Sequence, residues 1–189
     1  MAYVILESII YVSWAYVFLS RMRREGRAAS EELHVLVLAL ATTIIMELRA
    51  EYLQGGTGTF YPSSLSYFPG FRFPVAIVLA GSLFTWALYT LSRGISTRVA
   101  GERGWRFNLT HLVLFLLLLW SSRLVEAMAV SIGYWQWYIT PAPRAMWIGG
   151  YLYYFRLAFP AALAARFLSW HGQRTAGQAK LPEGTSVGG

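Results

Sequence analysis

The chain has 189 residues, 56% of them apolar and only 13% charged, with a net charge of +7. A soluble domain carries nearer a quarter charged residues, so this composition argues against water as the main solvent. The absence of cysteine excludes disulfides and thiolate metal sites, and the basic excess does not indicate nucleic acid, because the arginines sit in short loops between apolar runs.

Five apolar runs are long enough to cross a bilayer, which takes about 20 residues of helix. They lie near 2–20, 33–53, 73–92, 109–133 and 145–170. The first is read as a span and not a cleavable leader, since it lacks a basic start and is followed by charges. The fifth is longer than needed, which predicts tilt or an interfacial turn. The expected fold is therefore all-α: a polytopic transmembrane helical bundle forming one domain over 1–171. A disordered tail is expected over 172–189.

The loops between the runs differ in charge. Arg21, Arg23, Arg24 and Arg27 follow the first run, and Arg93, Arg98, Arg103 and Arg106 follow the third. Arg166, Arg174 and Lys180 come toward the end of the fifth and beyond it. The alternate loops hold only Arg72 and Arg144. The positive-inside rule then puts the amino terminus outside and the carboxyl terminus in the cytoplasm of a multi-pass cell-membrane protein. The outer loops are aromatic, with Phe60, Tyr61, Tyr67, Phe68 and Phe71 in one and Tyr134, Trp135, Trp137 and Tyr138 in the other. They form either an interfacial belt or the wall of an apolar ligand site.

Ionisable groups inside a bilayer are costly and usually face the bundle interior. Glu47 and Glu51, four residues apart, share a helix face, with Arg49 on another. Arg123 and Glu126 lie on the fourth run, Arg156 on the fifth and Glu7 on the first. At about 1.5 Å per residue, Glu7, Glu51 and Glu126 all fall in the outer third of the membrane, with Arg156 reaching up to them. They are either ion pairs that hold helices together or a polar pocket whose carboxyls, tuned by Arg49, Arg123 and Arg156, exchange protons.

A repeat is also visible. Glu51, Gly58 and Phe60 recur as Glu126, Gly133 and Trp135, at an offset of 75 residues. Both copies stand where an outward-running helix meets an outer loop, as expected of a parallel two-helix duplication.

On these residues, together with Ala129 and Trp137, the segment 46–138 resembles a carotenoid biosynthesis membrane family. That family includes bisanhydrobacterioruberin hydratase and is related in style to the small membrane lycopene cyclases. The chain departs from it in carrying Glu126 where the family has aspartate, and in having five runs. The resemblance implies acid-catalysed hydration of a terminal alkene of a long apolar polyene or isoprenoid, a lyase reaction. Cyclisation through the same cation is the other outcome. Glu51 and Glu126 would be the acid/base pair, with Glu47 as a substitute. Phe60, Tyr61, Trp135, Trp137, Tyr138 and Tyr154 would line the substrate. No cofactor or metal is implied.

Other readings remain open. Membrane lipids are expected partners, and a homo-oligomer or association with other membrane subunits fits a non-catalytic scaffold for pigment or lipid. A small transporter using Glu47, Glu51 and Arg156 would need an oligomer. His34 and His111 sit at similar depth, as two haem ligands would, although a histidine at a helix end is more often a cap.

Overall fold

A computed structural model describes residues 2–53, 59–60, 64–101, 104–134, 136–137 and 143–178. The order is α1 (Ala2–Met22), α2 (Arg27–Leu53), β1 (Thr59–Phe60), α3 (Val75–Ala100), α4 (Trp105–Leu119), α5 (Ser122–Ser131), β2 (Gln136–Trp137) and α6 (Pro143–Gln178). The chain is an all-helical transmembrane bundle, with a short β ribbon of two residues per strand among the described residues. Among the described residues four stretches are long and apolar enough to cross a membrane: Tyr3–Met22, Arg27–Arg49, Val75–Ala100 and Trp105–Ser131. The 36-residue α6 covers the fifth expected run and continues to Gln178, beyond Gly172 where the tail was expected to begin.

The fourth run forms one span, Trp105–Ser131, divided into α4 and α5. At Trp120 and Ser121 the bonding tightens: their amides donate to the Leu117 and Leu118 carbonyls three residues back, at 3.1 and 2.9 Å. Helical turns of this tighter kind mark kinks. The Ser121-Ser122 pair follows a run of leucines, and only there does the chain lose strong helix formers. Arg123 and Glu126 thus belong to a separate short helix.

The helices alternate in direction, so all the arginine-rich turns share one end of the bundle. The aromatic loops share the other. There β1 and β2 pair antiparallel, with Phe60 opposite Gln136 and Thr59 opposite Trp137. The two aromatic loops therefore join to each other.

Helix α2 packs most extensively, on α6 and α3. On α6 the face is built from Ala158, Ala161, Ala162 and Ala165, all buried. Small residues let backbones approach where lipid offers no hydrophobic drive to association. Gly81 does the same between α3 and α2, since a Cβ there would lie 2.8 Å from Thr43 Oγ1. Hydroxyls supply the remaining glue. Trp14 Nε1 donates to Ser82 Oγ at 3.2 Å, and Ser82 Oγ to the Leu36 carbonyl at 2.6 Å, linking α1, α3 and α2. Thr42 Oγ1 donates to the Leu157 carbonyl at 3.0 Å. Pro160, which has no amide to offer the Arg156 carbonyl, interrupts the hydrogen-bond ladder of α6 in the same turn.

The outward surface is greasy. Ile5, Ile9, Val12, Tyr16 and Leu19 on α1 are exposed, as are Leu109, Leu117, Leu124 and Met128 on α4 and α5. A bilayer is the solvent that accommodates such a surface.

Candidate functional site

At the aromatic end, Glu7 is fully buried on α1. Its carboxylate accepts the Leu65 amide and the Tyr134 hydroxyl, both at 2.8 Å. The geometry of Tyr134 follows from Gly133. With φ of +69°, Gly133 closes α5: the Tyr134 amide donates to the Ala129 carbonyl and the Gly133 amide to that of Val130. This is the Schellman arrangement, which favours glycine at the left-handed position. It turns Tyr134 inward onto Glu7. Burial, and then the Glu7 partner, raise the pKa of the Tyr134 hydroxyl above its ordinary value.

Glu51 holds the other side of the same loop. Its two oxygens accept the Arg72 amide at 3.2 and 3.0 Å. Around the second anchor the loop folds on itself through the Tyr67–Pro74 bridge, and Phe73 packs against Phe68 and Phe71. The Tyr11 hydroxyl and Ser66 Oγ, 2.7 Å apart, tie it to α1. Two carboxylates from two helices thus clamp one aromatic loop by its backbone amides. A loop rich in glycine and proline leaves such amides without ladder partners, and the two carboxylates supply the acceptors.

Glu47 shares its helix face with Glu51, as the spacing predicts, but lies one turn deeper and is buried. The Tyr153 hydroxyl donates to it at 2.6 Å. Tyr154, also buried, stands within electrostatic reach of both Glu126 and Glu47. Its ring meets Phe84 edge-on at 5.2 Å. The helix break places Arg123 5.0 Å from the centroid of Trp120, which in turn contacts Tyr151 at 5.1 Å. The carboxylates within reach of Tyr154 are therefore Glu47 and Glu126, whereas Glu51 binds the loop.

The remaining expected site residues are placed as follows. Arg49 and Arg156 have exposed side chains. Tyr61, Trp135 and Tyr138 lie outside the described residues, as do the side chains of Phe60 and Trp137. The backbones of Phe60 and Trp137 form the β ribbon above the cluster.

A second polar cluster, at the arginine-rich end, was not anticipated. The Tyr89 hydroxyl donates to Glu31, and Arg93 pairs with the same carboxylate at 3.3 Å. Arg21 pairs with Glu32 at 2.6 Å and stands 5.2 Å from the Trp86 ring centroid. His111 meets Tyr89 edge-on at 4.6 Å, and its Nδ1 accepts from Arg166 Nη1 at 3.2 Å. Arg166 Nη2 also donates to Asn108 Oδ1. The available sequence signal was the spacing of Tyr89 and Arg93, one helical turn apart, and of Asn108 and His111, three residues apart. His34 Nδ1 lies 3.5 Å from Ser30 Oγ, within its own helix. Among the described residues no group of three or more His, Cys or acidic side chains could hold a metal ion.

Compared with family models, curated proteins and solved structures, the chain matches none of them.

Proposed function

We propose that this protein is a multi-pass cell-membrane enzyme that protonates the terminal alkene of a long apolar isoprenoid, with Glu47 and Glu126 as its acid/base pair. One observation carries the reading: two carboxylates from different helices, Glu47 and Glu126, lie within electrostatic reach of the same buried tyrosine, Tyr154. One carboxyl, protonated, gives its proton to the alkene and leaves a tertiary carbocation. Aromatic rings stabilise such a cation through their quadrupoles. The other, ionised, takes a proton as water adds to the cation, so the net change is addition of water. Loss of a proton after ring closure would give the cyclised product from the same cation. Glu51 serves as a loop anchor in this reading, and Glu7 likewise. The positive-inside rule puts the aromatic end outside the cell.

The test is pigment analysis in a host that makes acyclic carotenoids. Wild type is expected to yield a hydrated or cyclised product. Glu47→Gln and Glu126→Gln each lower that yield by about a hundredfold or more, the scale of general acid–base catalysis. Glu51→Gln retains most of it. A pigment profile unchanged by the wild-type protein sinks the reading.

A second reading is supported by the clamped loop: a non-catalytic membrane subunit that holds pigment or lipid. It predicts that pigment co-purifies unmodified with wild type and with both glutamine variants.

A further inference from the structure

At the arginine-rich end Arg166, partly buried between α4 and α6, forms no ion pair among the described residues. Arg21 pairs with Glu32 and Arg93 with Glu31. The contacts of Arg166 are neutral: His111 Nδ1, Asn108 Oδ1 and the face of Phe107, 5.6 Å from its centroid. Among the described residues it meets no carboxylate. A guanidinium has five N–H donors, and His111 and Asn108 take two. None of the Arg166 nitrogens is a buried atom lacking a partner, so its other donors open to the surface.

His111 is 3% exposed. Because Nδ1 accepts from Arg166, the ring proton resides on Nε2, on the buried side of the ring. His111 therefore takes one Arg166 donor and offers the site no donor of its own, leaving the guanidinium as the cation exposed between α4 and α6.

The flanks are apolar and exposed. Leu109, Leu112 and Val113 on α4 and Leu163 and Phe167 on α6 all face outward. A cation with free donors, level with the arginine-rich turns and bordered by greasy helix faces, matches an amphiphile that joins an anionic phosphate to hydrocarbon chains. Basic sites between membrane helices recognise lipid headgroups in this way. The rigid fork of arginine suits phosphate oxygens.

We propose that the corner formed by Arg166 and Asn108 binds the headgroup phosphate of an anionic phospholipid, with its chains lying along Leu112 and Leu163. The site is separate from the carboxylate cluster and independent of any reaction there.

The test is native mass spectrometry of the purified full chain, titrated with phosphatidylglycerol, with phosphatidylcholine of the same chains, and with inorganic phosphate. Wild type is expected to prefer phosphatidylglycerol by roughly tenfold, the worth of one charge-assisted hydrogen bond. Arg166→Gln abolishes that preference, and Arg98→Gln, an exposed arginine at the same end, leaves it intact. Equal binding of the two lipids by wild type overturns the proposal, as does a preference that survives Arg166→Gln. Displacement of the lipid by inorganic phosphate at matched concentration assigns the corner to the free anion and overturns the lipid. Should Arg166→Gln fail to fold, Asn108→Ala carries the test, because its side chain is exposed. A few-fold loss of preference is expected there, and an unchanged preference overturns the proposal.

Discussion

The two ends of the bundle bury glutamates in different company. At the arginine-rich end Glu31 and Glu32 face Arg93 and Arg21. At the aromatic end the described donors to Glu7 and Glu51 are backbone amides of one loop and the Tyr134 hydroxyl, and Glu47 accepts from the Tyr153 hydroxyl. A charge-to-charge contact fixes position and costs heavily if one partner is removed. A carboxylate held by hydroxyl or amide donors can lose one bond and keep another. The first arrangement suits a structural rivet. The second suits a place where protons move or a loop must be held without being locked.

The largest expected effect tests the rivet. Arg93→Met leaves Glu31 buried and still accepting from the Tyr89 hydroxyl, but without its cation. Stability in detergent is expected to fall by about 3 kcal/mol, within the range for an uncompensated buried charge. The double variant Arg93→Met with Glu31→Gln recovers most of that loss. Without such recovery, the contrast between the ends fails on its first side.

The next effect tests the clamp. Glu7→Gln keeps one acceptor oxygen but cannot receive both the Leu65 amide and the Tyr134 hydroxyl on its two atoms. The expected loss is about 1–2 kcal/mol, the cost of one buried group left unmet. Hydrogen exchange should quicken at Leu65 and its neighbours while α3 stays protected. Protection lost equally across the bundle would mean that Glu7 holds helices together and not the loop.

A smaller effect separates stability from chemistry at Glu47. Tyr153→Phe removes the 2.6 Å donor. Interhelical hydrogen bonds in membranes average about 0.6 kcal/mol, so unfolding should shift little. Product yield in the pigment assay should fall further than that energy accounts for if Glu47 exchanges protons. A fall in yield that matches the stability change returns Glu47 to the class of rivets.

What was legible in the sequence follows from which physical signal each feature carries. Hydropathy located the spans because a bilayer demands length and apolarity and little else. The arginine turns were legible for the same reason. The shared face of Glu47 and Glu51 followed from helix periodicity. The significance of Gly133 was visible as spacing, but its cause, a left-handed helix terminus that aims Tyr134, is a backbone property. The break at Trp120 was hidden inside a leucine run whose hydropathy continues through it. Glu31 escaped notice because it lies beside a basic turn, where a charge looks like an interfacial one. Which acids converge depended on rotations of α2 and α5 about their axes, and the span pattern does not encode those rotations.

The smallest effect is a pH dependence at the aromatic end. Burial, then Glu7, raise the Tyr134 hydroxyl above its ordinary value of 10.0. A group whose folded pKa exceeds its unfolded one stabilises the fold fully below the unfolded value. That contribution is lost as pH rises toward the folded value. The stability advantage of wild type over Tyr134→Phe should therefore be constant to about pH 9 and shrink above about pH 10. Measuring each protein against its own value at neutral pH cancels the tyrosines they share. An advantage that grows with pH would reverse the sign and place a cation, not Glu7, as the dominant neighbour of Tyr134. The aromatic end would then hold its charges as the arginine-rich end does, and the contrast between the two would disappear.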